Sequence, residues 1–144
     1  MNVLLAPDVY VNASVALGSP PEKVVQRLLG KHKGQTQVSE WVLARVHHML
    51  SALPAFKPDA VNEQLQLIRS LVKVQPADAE FAPGEWERAL VDAAKRAGVT
   101  RVVTDHPDLL GKEQSGGIEF VPTEAFLLEL MTPPPAPPPR SSKP

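Results

Sequence analysis

The chain lacks several features that would assign it to a class of protein. It has no cysteine among its 144 residues, which excludes disulfide bonds and metal sites built on thiolates. Its formal net charge is −1 at pH 7, so no excess of positive charge attracts nucleic acid to the whole molecule. The first residues, Met1–Leu5, include no basic side chain, and no long apolar run occurs in the sequence. We therefore expect no signal peptide, no membrane helix and a cytoplasmic location.

Proline is concentrated at the end of the chain, where it makes up seven of the last thirteen residues. Because proline has no backbone N–H, this segment cannot continue a helix or a sheet. We predict that residues 132–144 form a polyproline-type or disordered tail and that residues 1–131 form one domain. The tail is either a ligand for a proline-recognition domain or a plain solvated linker.

Within residues 1–131, short apolar segments alternate with segments of helical periodicity. The strand-like segments are residues 3–5, 35–38, 72–74, 100–104 and 118–121. Short strands separated by helices predict an α/β fold, in which a parallel sheet is covered by helices on both faces. In such sheets, ligands bind beyond the carboxyl ends of the strands.

Several residues are placed to cap the predicted helices. Ser19 and Glu22 have the spacing of a capping box, in which each side chain bonds the backbone N–H of the other residue. Ser39 and Thr123 each precede an apolar helical pattern and are predicted as N-caps. Asp108 is expected to cap a short helix that includes the apolar pair after it.

Three polar segments are expected to converge at the carboxyl edge of the sheet. They are residues 6–8, 85–88 and 104–108, and the helix over residues 39–53 could form a wall between them. The last of these segments is the most informative, because a β-branched run leads directly into it. Residues 102–110 read Val-Val-Thr-Asp-His-Pro-Asp-Leu-Leu.

This stretch resembles the last acidic motif of PIN domains, a family of metal-dependent nucleases found in many toxin–antitoxin systems. In that family the strand ends Thr-Gly-Asp and is followed by a basic residue, Asp and Leu-Leu. Other phrases resemble the family in the same order along the chain; they are residues 3–13, 38–50, 89–110 and 116–126. The resemblance implies a three-layer α/β/α fold with a central parallel sheet of about four to five strands.

The resemblance also implies a site of three or four carboxylates around Mg²⁺ or Mn²⁺, since these ions prefer oxygen ligands. The first acid should end the opening strand, and this sequence has Ala6 there. Asp8 lies two residues later, where it could reach a metal or cap the turn into the next helix. The second acid should be a glutamate in the second helix, and the position holds Arg45, which cannot be a ligand.

The third acid should begin the helix before the motif strand, and Glu87 fits that position. It could equally serve only to complement the helix dipole. The fourth position holds His106, with Thr104, Asp105 and Asp108 around it. The candidate acidic site therefore consists of Asp8, Glu87 and Asp105. Five further residues are expected to line this site without binding a metal: Ala6, Arg45, His106, Thr104 and Asp108.

Because the sequence departs from the family pattern at these positions, two functions are possible for a PIN-like domain. A third interpretation is an unrelated α/β domain that has the same order of strands and helices. The first is a catalytically degenerate PIN-like domain that binds protein or RNA and holds no metal, in which Asp8, Arg45 and Glu87 form an ion-pair cluster. The second is a ribonuclease of the toxin–antitoxin type, with Mg²⁺ or Mn²⁺ on Asp8, Glu87 and Asp105. The resemblance further implies an antitoxin-like protein partner and a homodimer.

Overall fold

The computed structural model describes residues 2–30, 36–76, 82, 84–112 and 114–132. The strands are β1 (Val3–Leu5), β2 (Thr36–Ser39), β3 (Lys73–Gln75), β4 (Arg101–Val103), β5 (Gln114–Ser115) and β6 (Ile118–Val121). The helices are α1 (Pro7–Val15), α2 (Pro20–Leu29), α3 (Glu40–Ser51), α4 (Pro58–Leu71), α5 (Trp86–Ala97), α6 (Pro107–Leu110) and α7 (Thr123–Met131). The predicted tail from residue 133 onward, and the predicted strand start at residue 35, lie outside the described residues.

The strands form one sheet in the order β3-β2-β1-β4-β6-β5. The first five in that order are parallel, and β5 runs antiparallel to β6 at the edge. Helix α5 packs across β1, β2, β3 and β4, while α1 packs against α2 and α3. The predicted three-layer α/β/α fold with a central parallel sheet is confirmed, and the short antiparallel β5 is an addition to it.

The two central strands lie in the middle of the hydrophobic core. Val3, Leu4 and Leu5 of β1 are fully buried, as are Val102 and Val103 of β4. A strand covered on both faces needs apolar side chains at successive positions, which explains why both strands were visible as continuous apolar runs. Within the described residues, no helix is both long and apolar enough to cross a bilayer.

Three of the four predicted caps are wrong. Ser19 makes no side-chain cap, and Glu22 accepts a hydrogen bond from the backbone N–H of Gly18 instead of Ser19. Helix α7 begins at Thr123, which therefore lies inside the helix. The N-cap of α6 is His106, whose side chain accepts a hydrogen bond from the backbone N–H of Asp108. Ser39 does cap α3, because its hydroxyl accepts from the N–H of Val42 at 3.1 Å.

Candidate functional site

The candidate site lies beyond the carboxyl ends of β1 and β4. The chain passes from β1 toward β2 and β3 on one side, and it returns to place β4 on the other side of β1. A reversal of this kind leaves a crevice between the two strand ends, which is where α/β sheets bind their ligands. Residues 6–8 follow β1 and residues 104–106 follow β4, so both segments border this crevice.

Asp8 joins the two segments. Its Oδ1 accepts a hydrogen bond from the Thr104 hydroxyl at 2.9 Å, and its Oδ2 accepts from the backbone N–H of Asp105 at 2.8 Å. Asp8 is only 9% exposed, and Thr104 is fully buried. Both carboxylate oxygens are thus used to hold the loop after β4 against the start of α1.

The environment of Asp8 raises the pKa of its carboxyl. Burial raises the pKa of the Asp8 carboxyl, and the nearby negative charge of Asp105 raises it further. Hydrogen bonds from the Asp105 N–H and the Thr104 hydroxyl oppose the shift but do not cancel it. A bound cation would act in the opposite direction and lower this pKa.

Asp105 is engaged with a different element. Its Oδ1 accepts from the backbone N–H of Thr123 at 2.9 Å, and its Oδ2 accepts from the Thr123 hydroxyl at 2.5 Å. Thr123 is buried at the first position of α7. The Asp105 carboxylate therefore fixes the start of α7 and satisfies an N–H that the helix itself leaves without a partner. Sequence reasoning missed this role for Thr123, which it interpreted as a cap.

Thr104 and His106 complete the loop after β4. The Thr104 hydroxyl donates to Asp8 and accepts from the backbone N–H of His106 at 3.0 Å. The His106 Nδ1 accepts from the backbone N–H of Asp108 at 3.3 Å and so caps α6. Every polar side chain from 104 to 106 thereby helps to set the conformation of this loop.

Glu87 is held by other partners. Its carboxylate accepts from the Ser115 hydroxyl at 2.5 Å and forms a salt bridge with Lys112 at 3.2 Å. The Ser115 hydrogen bond and the Lys112 ammonium lower the pKa of the Glu87 carboxyl. Glu87 therefore links the start of α5 to the β5 region. Among the described residues, Glu87 does not join the other two acids.

The predicted ion-pair cluster of Asp8, Arg45 and Glu87 is wrong. Asp8 bonds only uncharged donors, and the ionic partner of Glu87 is Lys112. Arg45 is partly exposed and makes no ion pair within the part of the chain that the structure describes. Ala6 is fully buried and supplies no polar side chain.

An aromatic cluster lies beside these polar groups. Trp86 is in edge-on contact with Trp41, with ring centroids 6.0 Å apart, and it also contacts His106, with centroids 5.0 Å apart. Trp41 belongs to α3 and Trp86 to α5, so the starts of both helices reach the loop after β4. The predicted convergence of residues 85–88 with residues 104–108 is therefore confirmed through Trp86 instead of Glu87.

These residues do not match the donor set that a Mg²⁺ or Mn²⁺ site requires. Ions of this kind are held by several free oxygen ligands. Each oxygen of Asp8 and Asp105 already accepts one hydrogen bond from the fold, Ala6 has no side-chain atom that could bind a metal, and Arg45 is a cation. In the described ranges, no group of three or more histidine, aspartate or glutamate side chains is arranged to hold a metal ion.

Comparisons with known proteins establish the fold. No family model and no curated protein matches the sequence. A chain from the crystal structure of VapBC2 from Rickettsia felis, bound to a DNA fragment from their promoter, aligns with a TM-score of 0.62. The two chains are 13% identical, and the alignment covers 85% of this chain and 98% of that one. The chain has a PIN-like fold.

PAE2754 from Pyrobaculum aerophilum gives the same result. It aligns with a TM-score of 0.60 at 16% identity, over 90% of this chain and 89% of its own. Identities this low establish the PIN-like fold alone. The chemistry of this chain has to be argued from its own residues.

Proposed function

We propose that this chain is a non-catalytic, cytoplasmic PIN-like domain that acts by binding a partner protein. The observation that carries the proposal is the use of the carboxylates at the sheet edge. Asp8 and Asp105 bind backbone and hydroxyl donors of the fold itself, and Glu87 binds Lys112 and Ser115. These contacts take one lone pair of each oxygen of Asp8 and Asp105 and satisfy both carboxylates without a cation. This supports a scaffold without a resident metal.

A groove between helices supports the binding role. A cleft of about 390 Å³ lies between α1, α2 and α4. Its apolar lining includes Val25 and Leu29 of α2 and Leu67 and Leu71 of α4. Leu67 is 49% exposed, so it adds accessible apolar surface to this cleft.

The charge at the rim indicates the kind of partner. Glu22 lines the cleft, and the exposed acids Asp59 and Glu63 line a second depression that shares Leu67 with it. An apolar groove with an acidic rim fits an amphipathic helix that carries leucine-like side chains and basic flanks. Likeness to a chain of the VapBC2 complex supports a partner of the antitoxin kind.

A synthetic amphipathic peptide of leucine and lysine tests this groove, with the same peptide carrying glutamate for lysine as its control. We expect the lysine peptide to bind and the glutamate peptide not to. Leu67→Lys should weaken binding about tenfold or more, since a buried leucine contributes about 1.5–3 kcal/mol. Leu128→Lys, at a leucine that is 62% exposed on α7, is the matched control and should leave binding unchanged.

Two results would contradict the proposed partner. Equal binding of both peptides, or binding unaffected by Leu67→Lys, would remove the groove as the site. A dimer in sedimentation of the protein alone, broken by Leu67→Lys, would show that a second copy of this chain occupies the groove.

The alternative function is a metal-dependent ribonuclease of the toxin–antitoxin type, favoured by the PIN-like fold. It is tested with labelled single-stranded RNA in the presence of Mn²⁺. We expect no metal-dependent cleavage, and no difference between the wild type and Asp105→Asn. Cleavage that needs Mn²⁺ and disappears in Asp105→Asn would establish the alternative.

A further inference from the structure

Two depressions adjoin the cleft between α1, α2 and α4, which we call the partner groove. On one side, Gln26 of α2 lines both the groove and a depression that it forms with Lys23, Arg27 and Met131. On the other side, Leu67 lines both the groove and the acidic depression on the outer face of α4. The three hollows therefore form one continuous path, which starts beside the end of α7 and crosses α2 and α4.

The chain leaves α7 at the start of this path. Helix α7 ends at Met131, and Met131 itself lines the first depression. The proline-rich tail, residues 133–144, follows almost at once in the sequence and is therefore tethered beside the partner groove. A short tether gives the attached segment an effective concentration on the order of millimolar at a site within its reach.

The length of the proline-rich segment matches the width of the path. Residues 133–139 are six prolines and one alanine, and they carry no charge. In the polyproline conformation that this composition predicts, each residue advances the chain by about 3.1 Å, so seven residues span about 22 Å. Packed helices lie about 8–10 Å apart, so a path across α2 and α4 is about 16–20 Å long. Residue 140 can therefore reach the outer face of α4.

The charges of the tail are opposite to those at the far end of the path. Arg140 and Lys143 follow the prolines, and no acidic residue occurs in residues 132–144. Asp59 and Glu63, on the outer face of α4, are exposed and form no salt bridge with another described residue. The two basic side chains of the tail therefore have two acidic partners within reach.

The lining of the partner groove also suits a proline-rich segment. Val25, Leu29 and Leu71 supply apolar surface against which proline rings can pack. A polyproline chain offers carbonyl acceptors but has no backbone N–H. The side-chain amides of Gln26 and Gln64 line the groove and carry the N–H donors that such carbonyls need.

We infer that the proline-rich tail of this chain docks across the partner groove and covers it in the absence of a partner. The proline rings lie against the apolar lining, and Arg140 and Lys143 bind the acids on the outer face of α4. This inference rests on the proposed function, because the tail and the partner helix occupy the same groove. A partner with basic flanks has to displace the basic tail, so the tail lowers the apparent affinity of the groove.

Paramagnetic broadening in the full chain tests the docking of the tail directly. The chain has no cysteine, so Ser142→Cys provides a single site for a nitroxide label on the tail. We expect the label to broaden the backbone amide signals of Glu63 and Leu67, which lie at the far end of the path. The amide of Lys95, which is on α5 and lines none of the three hollows, should remain sharp.

Two further samples separate docking from accidental proximity. In the labelled chain that also carries Arg140→Gln and Lys143→Gln, broadening at Glu63 and Leu67 should fall severalfold. A mixture of nitroxide-labelled chains with isotope-labelled chains that lack the nitroxide should show no broadening there. The inference is overturned if Glu63 and Leu67 stay as sharp as Lys95, or if the double substitution leaves their broadening unchanged. Broadening in the mixed sample would also overturn it, because the groove would then hold the tail of a second copy.

Competition with the leucine–lysine peptide separates this inference from the proposed function. Arg140→Gln with Lys143→Gln should tighten peptide binding about three- to tenfold, because the tail no longer covers the groove. Lys73→Gln with Lys95→Gln, at two exposed lysines outside the groove, is the matched control for the loss of two positive charges and should tighten binding less.

The two proposals fail in different ways. Equal tightening by the tail variant and its control would overturn the competition by the tail and leave the groove as a partner site. Absence of peptide binding to any of these proteins would remove the partner site, and the paramagnetic broadening would still decide whether the tail docks.

Discussion

Asp8 and Glu87 were expected to share one site, and the molecule holds them in opposite ways. Asp8 is nearly buried, bonds uncharged donors and has a raised pKa. Glu87 is partly exposed, bonds Ser115 and Lys112 and has a lowered pKa. Burial accounts for the first shift, and the Ser115 hydroxyl and the Lys112 ammonium account for the second. By their contacts and burial, Asp8 is part of a structural junction between the two strand ends, while Glu87 makes an ordinary surface contact.

Removing the Asp8 side chain should have the largest effect on the stability of the fold. In Asp8→Ala, the Thr104 hydroxyl and the Asp105 N–H lose their acceptor. Because an unsatisfied buried donor costs about 1–3 kcal/mol, we expect the free energy of unfolding to fall by about 2–5 kcal/mol in total. Urea unfolding measures this change. A loss below about 1 kcal/mol would mean that Asp8 is not a structural residue.

Asp105→Ala should have an intermediate effect. It removes the acceptor for the Thr123 N–H and hydroxyl at the start of α7. Asp105 is partly exposed, so water can replace part of the contact, and we expect a loss of about 1–2 kcal/mol. Hydrogen exchange at the first turn of α7 should accelerate in this variant. Unchanged exchange there would contradict the role given to Asp105.

The raised pKa of Asp8 predicts a pH dependence with a definite sign. The folded state binds the Asp8 proton more tightly than the unfolded state, in which the carboxyl has its ordinary pKa of 3.8. The tighter proton binding stabilises the folded state fully at a pH below 3.8, and this stabilisation is lost as the pH rises through the pKa of Asp8 in the folded state. The unfolding free energy of the wild type should therefore fall relative to Asp8→Asn as the pH is raised through this window. Asp59→Asn, at an exposed aspartate, is the control for the removal of one negative charge.

Glu87→Ala should have the smallest effect. Its salt bridge joins two partly exposed side chains, and such pairs contribute about 0–1 kcal/mol. We expect the free energy of unfolding to fall by less than about 1 kcal/mol, with most of that from the Ser115 hydrogen bond. Urea unfolding beside Asp8→Ala gives the comparison, and equal losses in the two variants would remove the distinction between the two regions.

The sequence predicted what depends on local pattern. Central strands such as Val3–Leu5 were visible because burial on both faces requires a continuous apolar run. Ser39 was recognised as a cap because the bond to Val42 is local. The alternation of strands and helices was enough to predict the parallel sheet and the edge at which polar segments meet.

Contacts set by tertiary structure were not predictable in the same way. Asp105 binds Thr123 only because β4 and β6 are neighbours in the sheet. The strand β5 consists of two residues, Gln114 and Ser115, which carry no apolar signal, so the attachment of Glu87 to this edge could not be foreseen. The start of α7 was misplaced by one residue because Asp105, which is distant in sequence, binds Thr123. The cap of α6 is a local contact and was missed because histidine is not among the usual N-cap residues.

The central claim is that the acids at the sheet edge hold the fold together and do not bind metal. The most direct test is calorimetric titration with Mn²⁺ of the wild type, Asp105→Asn and Glu87→Ala. We predict no saturable binding at up to millimolar Mn²⁺ in any of the three proteins. Saturable binding to the wild type at micromolar to low-millimolar concentration, lost in Asp105→Asn or Glu87→Ala, would contradict this prediction and restore the ribonuclease function.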